Sequence, residues 1–235
     1  MSIKVSKLTK VYGNQKAIDS ISFEVNTGEI VGFLGPNGAG KSTTMKILTG
    51  YTKATSGEAS VNHFDVTQQS MQARASVGYL PEHNPLYLDM YVLEFLYFIG
   101  KLYGMTKGVL RERAEEMIRI CGLERERHKK IGELSKGYRQ RVGLAQAFIH
   151  DPAVLILDEP TTGLDPNQLV EIRQLIRTMG ANKTVLFSTH IMQEVEALCD
   201  RVIIINRGKI VADDRLHNLK SEEESLEAVF RRLTA

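Results

Sequence analysis

The sequence predicts an α/β fold with a mixed core sheet, an antiparallel β subdomain and an inserted all-helical subdomain. Three observations indicate this fold class. Polar and apolar residues alternate near the start of the chain, helical periodicity dominates residues 90–150, and continuous β-branched runs follow residue 150. The chain has 235 residues, of which 43% are hydrophobic, so one α/β domain with an insert can bury a core.

The N-terminal segment is predicted to form the antiparallel subdomain. Residues 3–5 and 21–25 alternate as strands do, and residues 26–28 have the composition of a turn. The apolar run at residues 30–34 is typical of a buried strand. A helix ending near residue 50 and two further strands follow, at residues 57–61 and 77–80.

The rest of the chain predicts a helical insert followed by a parallel core sheet. Helices are predicted at residues 92–102, 111–121 and 138–149. Buried strands are predicted at residues 154–157, 184–187 and 202–205, and a hairpin at 206–208 leads to residues 209–211. The predicted division is a core at 1–81 and 151–215, a helical subdomain at about 82–150 and a C-terminal extension at about 216–235, which holds an acidic run at 222–224.

A glycine-rich segment directly after residues 30–34 has the spacing of a phosphate-binding loop, which predicts a P-loop NTPase fold. Glycines allow backbone N–H groups to surround phosphate oxygens, Lys41 has the length to reach the β- and γ-phosphates, and the Ser42 hydroxyl can bind Mg²⁺. The alternative is a tight glycine turn without a ligand. The predicted nucleotide-binding residues of this segment are Gly35, Pro36, Asn37, Gly38, Ala39, Gly40, Lys41, Ser42 and Thr43.

Two carboxylates end the strand at residues 154–157, at the edge of the sheet where α/β proteins bind ligands. Asp158 is predicted to hold Mg²⁺ through its water shell, and Glu159 is predicted to orient or deprotonate the attacking water. The alternative is an acidic helix cap. His190 follows the strand at residues 184–187 and is a candidate donor to a γ-phosphate oxygen, although a lone histidine there is more often structural.

The segment Leu134-Ser135-Lys136-Gly137-Tyr138-Arg139-Gln140-Arg141 resembles the signature motif of the ATP-binding-cassette ATPases. It lies upstream of Asp158 and Glu159, as it does in that family. Tyr12 matches the aromatic residue that stacks on adenine, residues 163–165 match the loop after the catalytic glutamate, and His190 matches the switch histidine. The resemblance covers nearly the whole chain. For Tyr12, a role as a core aromatic is the alternative.

The resemblance implies that the signature of one subunit closes on the phosphate loop of another. Ser135 and Gly137 would then contact ATP in trans, since the start of the following helix provides free N–H groups for an anion. Ser135 would also serve as an ordinary helix N-cap. The signature departs from the common pattern at Lys136 and Tyr138, and Lys136 is expected to add positive charge near the γ-phosphate.

A second departure lies at the entry to the helical insert. Leu80-Pro81-Glu82 resembles the glutamine loop of the family, but Glu82 occupies the glutamine position. The additional carboxylate would either strengthen metal binding or raise the pKa of neighbouring groups, and the sequence does not distinguish these effects. Glu82 is therefore a candidate metal contact beside Ser42 and Asp158.

Composition excludes several classes of protein. The net charge of +2 lacks the basic excess of a domain that binds nucleic acid. Cys121 and Cys199 form no CxxC pair, which favours a reducing cytosol, and the first residues lack the apolar core of a signal peptide. Charged residues interrupt the aromatic-rich stretch at 85–105, so no membrane span is expected.

The predicted function is that of the ATPase subunit of a bacterial exporter, with ATP and Mg²⁺ as ligands and an ATP-dependent homodimer that drives separate transmembrane permease subunits. Residues 78–91 and 190–196 look similar to those of the gliding-motility-associated exporter ATPases, but drug or lipid efflux would leave nearly the same sequence. Its expected location is the cytoplasmic face of the inner membrane. A soluble cassette ATPase acting on ribosomes or DNA is the main alternative, and a non-hydrolysing interaction module is another.

Two segments leave their packing open. The aromatic stretch at residues 86–103 fits either the core or the surface that contacts the permease, and the core is the more common outcome for such a stripe. The amphipathic segment at residues 226–233 would pack either on its own domain or on a second copy.

Overall fold

The computed structural model describes residues 2–220 and 225–235, so the acidic run at 222–224 lies outside the described residues. The strands are β1 (Ile3–Tyr12), β2 (Gln15–Val25), β3 (Ile30–Leu34), β4 (Ser56–Val61), β5 (Phe64–Asp65), β6 (Val77–Leu80), β7 (Val154–Asp158), β8 (Thr184–Thr189), β9 (Arg201–Asn206) and β10 (Lys209–Arg215). The helices are α1 (Lys41–Leu48), α2 (Ser70–Ala75), α3 (Val92–Leu102), α4 (Lys107–Ile120), α5 (Lys136–Phe148), α6 (Pro166–Gly180), α7 (Met192–Leu198), α8 (Leu216–Leu219) and α9 (Leu226–Thr234), with a short 3-10 helix at Ile131–Glu133.

One sheet is antiparallel and has the strand order β2-β1-β4-β5. The alternation in β1 places Ile3 and Val5 on the buried face, opposite Val25 and Phe23 of β2. Period-two alternation of this kind is what a strand with one buried face requires. The predicted antiparallel subdomain is confirmed, and β4 and β5 extend it.

The other sheet is mixed and has the order β10-β9-β3-β8-β7-β6. β3 pairs in parallel with β8 and β9, and β7 pairs in parallel with β6 and β8, whereas β10 pairs antiparallel with β9. Every residue of β7 is buried, as expected for a strand covered on both faces. The phosphate loop after β3 and the two carboxylates at the end of β7 therefore lie at the same edge of this sheet.

The helices α3, α4 and α5 lie between β6 and β7, where the all-helical insert is predicted. α3 has the predicted bounds, but α4 begins at Lys107 rather than at residue 111. α5 begins at Lys136 because Ser135 caps it. The boundaries at residues 82 and 150 stay a prediction.

The aromatic stretch at residues 86–103 is divided between core and surface. Phe95 and Leu96 are buried in α3, whereas Tyr87, Tyr91 and Tyr103 are exposed. The core interpretation therefore holds for the buried set, whereas contact of the exposed set with a permease stays a prediction.

The C-terminal helix α9 packs on its own chain. Leu226 is buried in the same apolar cluster as Val202 and Ile204 of β9, and Phe230 packs against that cluster. Val229 is buried as well. Of the two alternatives for residues 226–233, the structure shows packing on the chain's own domain. Among residues 2–220 and 225–235, no helix has the length and apolar character needed to cross a membrane.

Candidate nucleotide-binding site

The phosphate loop connects β3 to α1 and leaves the start of that helix open. Gly40 is the N-cap residue of α1, and its φ of 112° lies in the left-handed region that glycine adopts without strain. Because Gly40 has no side chain, no side-chain cap occupies the first N–H groups of the helix. Free N–H groups and the positive end of the helix dipole form a binding site for an anion.

The Lys41 side chain is buried and folds back over this loop. Its ammonium group donates to the carbonyl oxygens of Gly35 at 2.7 Å and Pro36 at 3.3 Å. It also lies 3.4 Å from Glu159 Oε1, and both side chains are only 6% exposed. The positive charge of Lys41 is thus held between the loop and the end of β7.

Asp158 faces the first turn of α1. Its Oδ1 atom accepts hydrogen bonds from Ser42 Oγ at 3.1 Å and Ser188 Oγ at 2.5 Å. Burial raises the pKa of Asp158 above its ordinary value, the two hydroxyl groups oppose this effect, and the nearby charges of Glu82 and Glu159 add to it. A divalent cation here would favour the ionised carboxylate.

The oxygen atoms of Ser42 and Asp158 fit Mg²⁺, which binds one or two protein oxygens and keeps the rest of its shell for water and phosphate. In the described part of the chain, no cluster of three or more His, Cys, Asp or Glu side chains forms a metal site of the kind that proteins build alone. The two oxygen ligands of Ser42 and Asp158 suit an ion whose remaining ligands are water and phosphate.

Glu159 lies between Lys41 and His190. Its Oε2 atom accepts hydrogen bonds from His190 Nδ1 at 2.9 Å and from Thr162 Oγ1 at 3.2 Å. Its backbone adopts a φ of 51°, which is uncommon for a residue with a side chain and requires support from its surroundings. Part of that support comes from Ser188, whose Oγ accepts from the Glu159 N–H at 3.0 Å.

A cavity of about 410 Å³ lies between the phosphate loop, Glu159 and His190. Its lining residues are Ala17, Asn37, Gly38, Gly40, Lys41, Ser42, Thr43, Glu82, Glu159, Thr162 and His190. Asp158 is not among these lining residues and contacts the cavity through Ser42. The structure thus brings the phosphate loop, the predicted base and the predicted switch histidine together. Glu82 is exposed and lines the same cavity. Burial raises the pKa of Tyr79, and the charges of Asp158, Tyr51 and Glu82 add to that effect.

Other predicted residues lie elsewhere. Within the part of the chain that the structure describes, Tyr12, Ser135 and Gly137 do not line this cavity. Tyr12 is 49% exposed at the end of β1, so it is not a core aromatic, and the ammonium group of Lys10 lies 4.9 Å from the centre of its ring. Of the loop residues, Gly35 and Pro36 contact Lys41 through their carbonyl groups, and Ala39 is buried.

The signature segment packs beside the loop that follows Glu159. Ser135 caps α5 and accepts a hydrogen bond from Tyr138 N at 3.4 Å, and Gln140 Nε2 donates to Pro160 O at 2.5 Å. The Lys136 ammonium group lies against Gly163 of the same chain. The expected position of Lys136 beside a γ-phosphate stays a prediction, because it concerns a second subunit.

Two side chains that contact Asp158 or Glu159 are not predicted from the sequence. Ser188 binds both Asp158 and the Glu159 N–H, and Thr162 binds Glu159. Thr162 lies three positions after a predicted catalytic residue, which is a usable signal. Ser188 lies two positions before His190, at the end of a predicted strand, where polar side chains of parallel sheets meet.

Comparison with known proteins gives one family. The sequence model of the family described as ABC transporter matches residues 18–162. The chain is 39% identical to an uncharacterized ABC transporter ATP-binding protein of Bacillus subtilis, over 95% of this chain and 74% of that protein. It is 36% identical to Nod factor export ATP-binding protein I of Cupriavidus metallidurans (97% and 75%) and 39% identical to the bacitracin transport ATP-binding protein of Bacillus licheniformis (93% and 71%).

Solved structures agree with this result. An ATP-binding subunit of an ABC transporter superposes with a TM-score of 0.90 at 30% identity and covers all of both chains. A dimeric ATP-binding cassette in a post-hydrolysis state with ADP and Pi superposes with a TM-score of 0.82 at 26% identity, covering 91% of this chain and 98% of that one.

Proposed function

The chain belongs to the ATP-binding subunits of ABC transporters and is an ATPase, and we propose that it drives a bacterial exporter whose transmembrane subunits are separate chains. The observation that carries the proposal is the shared cavity of the phosphate loop, Glu159 and His190. Phosphoryl transfer to water requires mainly positioning and charge neutralisation. The cavity offers both within one chain.

Each side chain of this cavity has a proposed task. The loop N–H groups and Lys41 hold the β- and γ-phosphates, and Glu159 orients the attacking water and accepts its proton. His190 holds the Glu159 carboxylate through Nδ1, which leaves Nε2 to face the phosphate. Ser42 and Asp158 would hold Mg²⁺, which neutralises charge on the phosphate oxygens when bound.

The active form is proposed to be a head-to-tail homodimer. Ser135 and Gly137 lie at the start of α5 and outside the cavity of their own chain. In such a dimer the partner's phosphate would meet the N–H groups of α5 and the Ser135 hydroxyl. The dimeric state of the solved relative with ADP and Pi supports this assembly.

The permease is proposed to contact a groove of the helical insert. This groove has a volume of about 890 Å³ and lies between α3, α4 and the segment after α4. Leu93, Tyr97 and Phe98 contribute apolar surface to it. Its charged lining residues are Glu94, Lys101, Lys107, Arg111 and Arg127, together with His128. An amphipathic segment with acidic flanks would complement this surface, and its motion would follow closure of the dimer.

The transported substance is proposed only as a class. The named relatives serve Nod factor export and bacitracin transport, which favours export by this chain as well. Gliding motility, drug efflux and lipid export remain specific forms of this proposal, because the permease determines the substrate. Attachment to the permease would place the chain at the cytoplasmic face of the inner membrane.

The test is ATP turnover with Mg²⁺ for the purified chain and its Glu159→Gln variant, with size measured in the presence and absence of ATP. We expect Glu159→Gln to lower turnover by about 10²- to 10⁴-fold and to accumulate an ATP-bound dimer, because the amide cannot accept the proton. Glu112→Gln changes an exposed glutamate of α4 and serves as the matched control. Wild-type turnover in Glu159→Gln would contradict the assignment of the base.

A further inference from the structure

Glu194 is a fully buried carboxylate that the proposed mechanism does not use. It lies in the first turn of α7, four residues after His190, and its side chain is fully buried, with an exposure of 0%. Thr161 Oγ1 donates to its Oε1 atom, and Thr189 Oγ1 donates to its Oε2 atom at 2.5 Å. Both threonines are themselves buried. One carboxylate thus joins two segments that are distant in sequence.

These partners are unusual for a buried acid. In the described part of the chain, Glu194 is bound by two hydroxyl groups and forms no salt bridge with a lysine or arginine. Burial of a carboxylate is costly unless hydrogen bonds and opposite charge compensate for it, and apolar residues of similar volume often pack at least as stably. Packing by itself therefore does not account for an acid at this position.

The two threonines adjoin the two proposed catalytic side chains. Thr161 belongs to the loop that begins at Glu159, and the next residue donates to the Glu159 carboxylate through its hydroxyl. Thr189 directly precedes His190, and its Oγ1 accepts from Ile191 N at 3.0 Å, which fixes the chain on both sides of the histidine. Glu194 therefore binds the supports of Glu159 and of His190 at once.

We propose that Glu194 is a positioning residue that fixes the separation of Glu159 and His190. This inference rests on the proposed function, because it assumes that these two side chains act on ATP. The 2.9 Å contact between Glu159 Oε2 and His190 Nδ1 requires two independent segments to hold their relative position. A displacement of about 1 Å in such a pair is enough to lower a catalytic rate by up to about 10²-fold.

The first experiment compares Glu194→Gln with Glu196→Gln, a change on the same helix at a half-exposed residue that pairs with Lys220. The glutamine keeps the volume of Glu194 but accepts through only one oxygen. We expect kcat to fall about tenfold with the ATP Kd unchanged within about twofold, whereas Glu196→Gln keeps the wild-type kcat. A role limited to anchoring α7 would lower the Tm and leave kcat of the folded protein at the wild-type value, which would overturn the proposal.

The second experiment removes the donors one at a time. Thr161→Val and Thr189→Val each delete one hydroxyl at nearly constant volume, and they test the proposal even if Glu194→Gln does not fold. Because the carboxylate acts only when both segments are bound, each change should lower kcat about as much as the double change does. The proposal would be overturned if the double variant lost kcat by the product of the two single losses, or if both single variants kept the wild-type kcat.

The two proposals fail in different ways. Absence of Mg²⁺-dependent turnover in the wild-type chain would overturn the proposed function, and the role of Glu194 would fall with it. Wild-type turnover that depends on Glu159 but not on Glu194, Thr161 or Thr189 would overturn only the positioning role.

Discussion

Two helix N-termini of this chain are candidates for binding phosphate, and they differ in what surrounds them. The start of α1 is uncapped at Gly40 and opens into the cavity that holds Lys41 and Glu159. The start of α5 is capped by its own Ser135 and packs beside the loop at Gly163. The first has charged side chains already in place, whereas the second has a hydroxyl and N–H groups but no base or metal ligand beside it within the described residues.

The difference indicates which functions of a composite site each helix N-terminus would provide. In the proposed mechanism, the α1 side supplies binding, charge and chemistry from one chain, so its geometry is set by folding. The α5 side supplies only donors, so its contribution depends on a second copy, which is the basis of the proposed dimer.

The largest expected effect is on the α1 side. Lys41→Ala removes the cation that contacts the phosphate loop and Glu159, and we expect kcat/KM for ATP to fall by about 10²- to 10³-fold. Steady-state ATP hydrolysis checks this result. Lys53→Ala, at an exposed lysine after α1, should keep the wild-type value. Equal activity of the two variants would remove the phosphate loop from the proposed site.

The α5 side is tested by complementation. Ser135→Ala should abolish most turnover while costing only about 1 kcal/mol of stability through the lost cap. An equal mixture with Lys41→Ala should regain about a quarter of the wild-type turnover, because half of the dimers would then contain one intact composite site. Turnover assays of the mixture and of each variant measure this. A mixture no more active than its components would place Ser135 outside the site of the partner.

The adenine side of the nucleotide is tested at Tyr12. This ring is half exposed at the end of β1, and a stacked base would contribute about 1–3 kcal/mol. Tyr12→Ala should therefore raise the ATP Kd about tenfold, while Tyr12→Phe keeps the ring and the affinity. Equilibrium binding of a fluorescent ATP analogue checks both. Unchanged affinity in Tyr12→Ala would mean that the α1 side binds phosphates only.

The smallest effect concerns how firmly the helical insert is fixed to the core sheet. The His150 ring stacks on Tyr103 with centroids 3.6 Å apart, and its Nε2 donates to Val77 O at 3.1 Å. Burial lowers the pKa of His150 from 6.5 to about 4. The unfolded chain therefore binds more protons between pH 4 and 6.5, so stability rises with pH across this window and is lost as pH falls through it.

Across this window, the free energy of unfolding changes by about 2 kcal/mol through His150, after allowance for the partial exposure of the ring. We expect His150→Gln to remove that part of the pH dependence, whereas His217→Gln, at an exposed histidine, keeps it. Urea unfolding at pH 4.5 and 7 measures the difference. An equal pH slope in His150→Gln and the wild-type chain would contradict the assignment.

Much of the fold follows from local patterns in the sequence. The alternation in β1 and the continuous β-branched run in β7 predict their sheets, because one-sided and two-sided burial leave different patterns. No helix was predicted at α6, although Asp165 caps it and Pro166 is its first residue, which is a readable start signal. The early start of α4 is a boundary error of the common kind.

The candidate site was predictable where spacing within one segment defines it. The phosphate loop and the pair Asp158 and Glu159 belong to this class. The contact of Lys41 with Glu159, and the bridge from Glu194 to Thr161, depend on side chains that meet across the sheet edge. Sequence spacing does not contain these contacts, because they arise from the order of strands in the sheet.

In the proposed mechanism, a phosphate group of ATP replaces the Glu159 carboxylate as the partner of the Lys41 ammonium group. Phosphate oxygens compete with the carboxylate for the same ammonium group, so the arriving substrate displaces the group that will act on it. Before the nucleotide binds, the carboxylate is held by the ammonium group of Lys41 and by His190 Nδ1. On the proposed mechanism, we expect arrival of the nucleotide and release of the base to coincide, which would limit side reactions between turnovers.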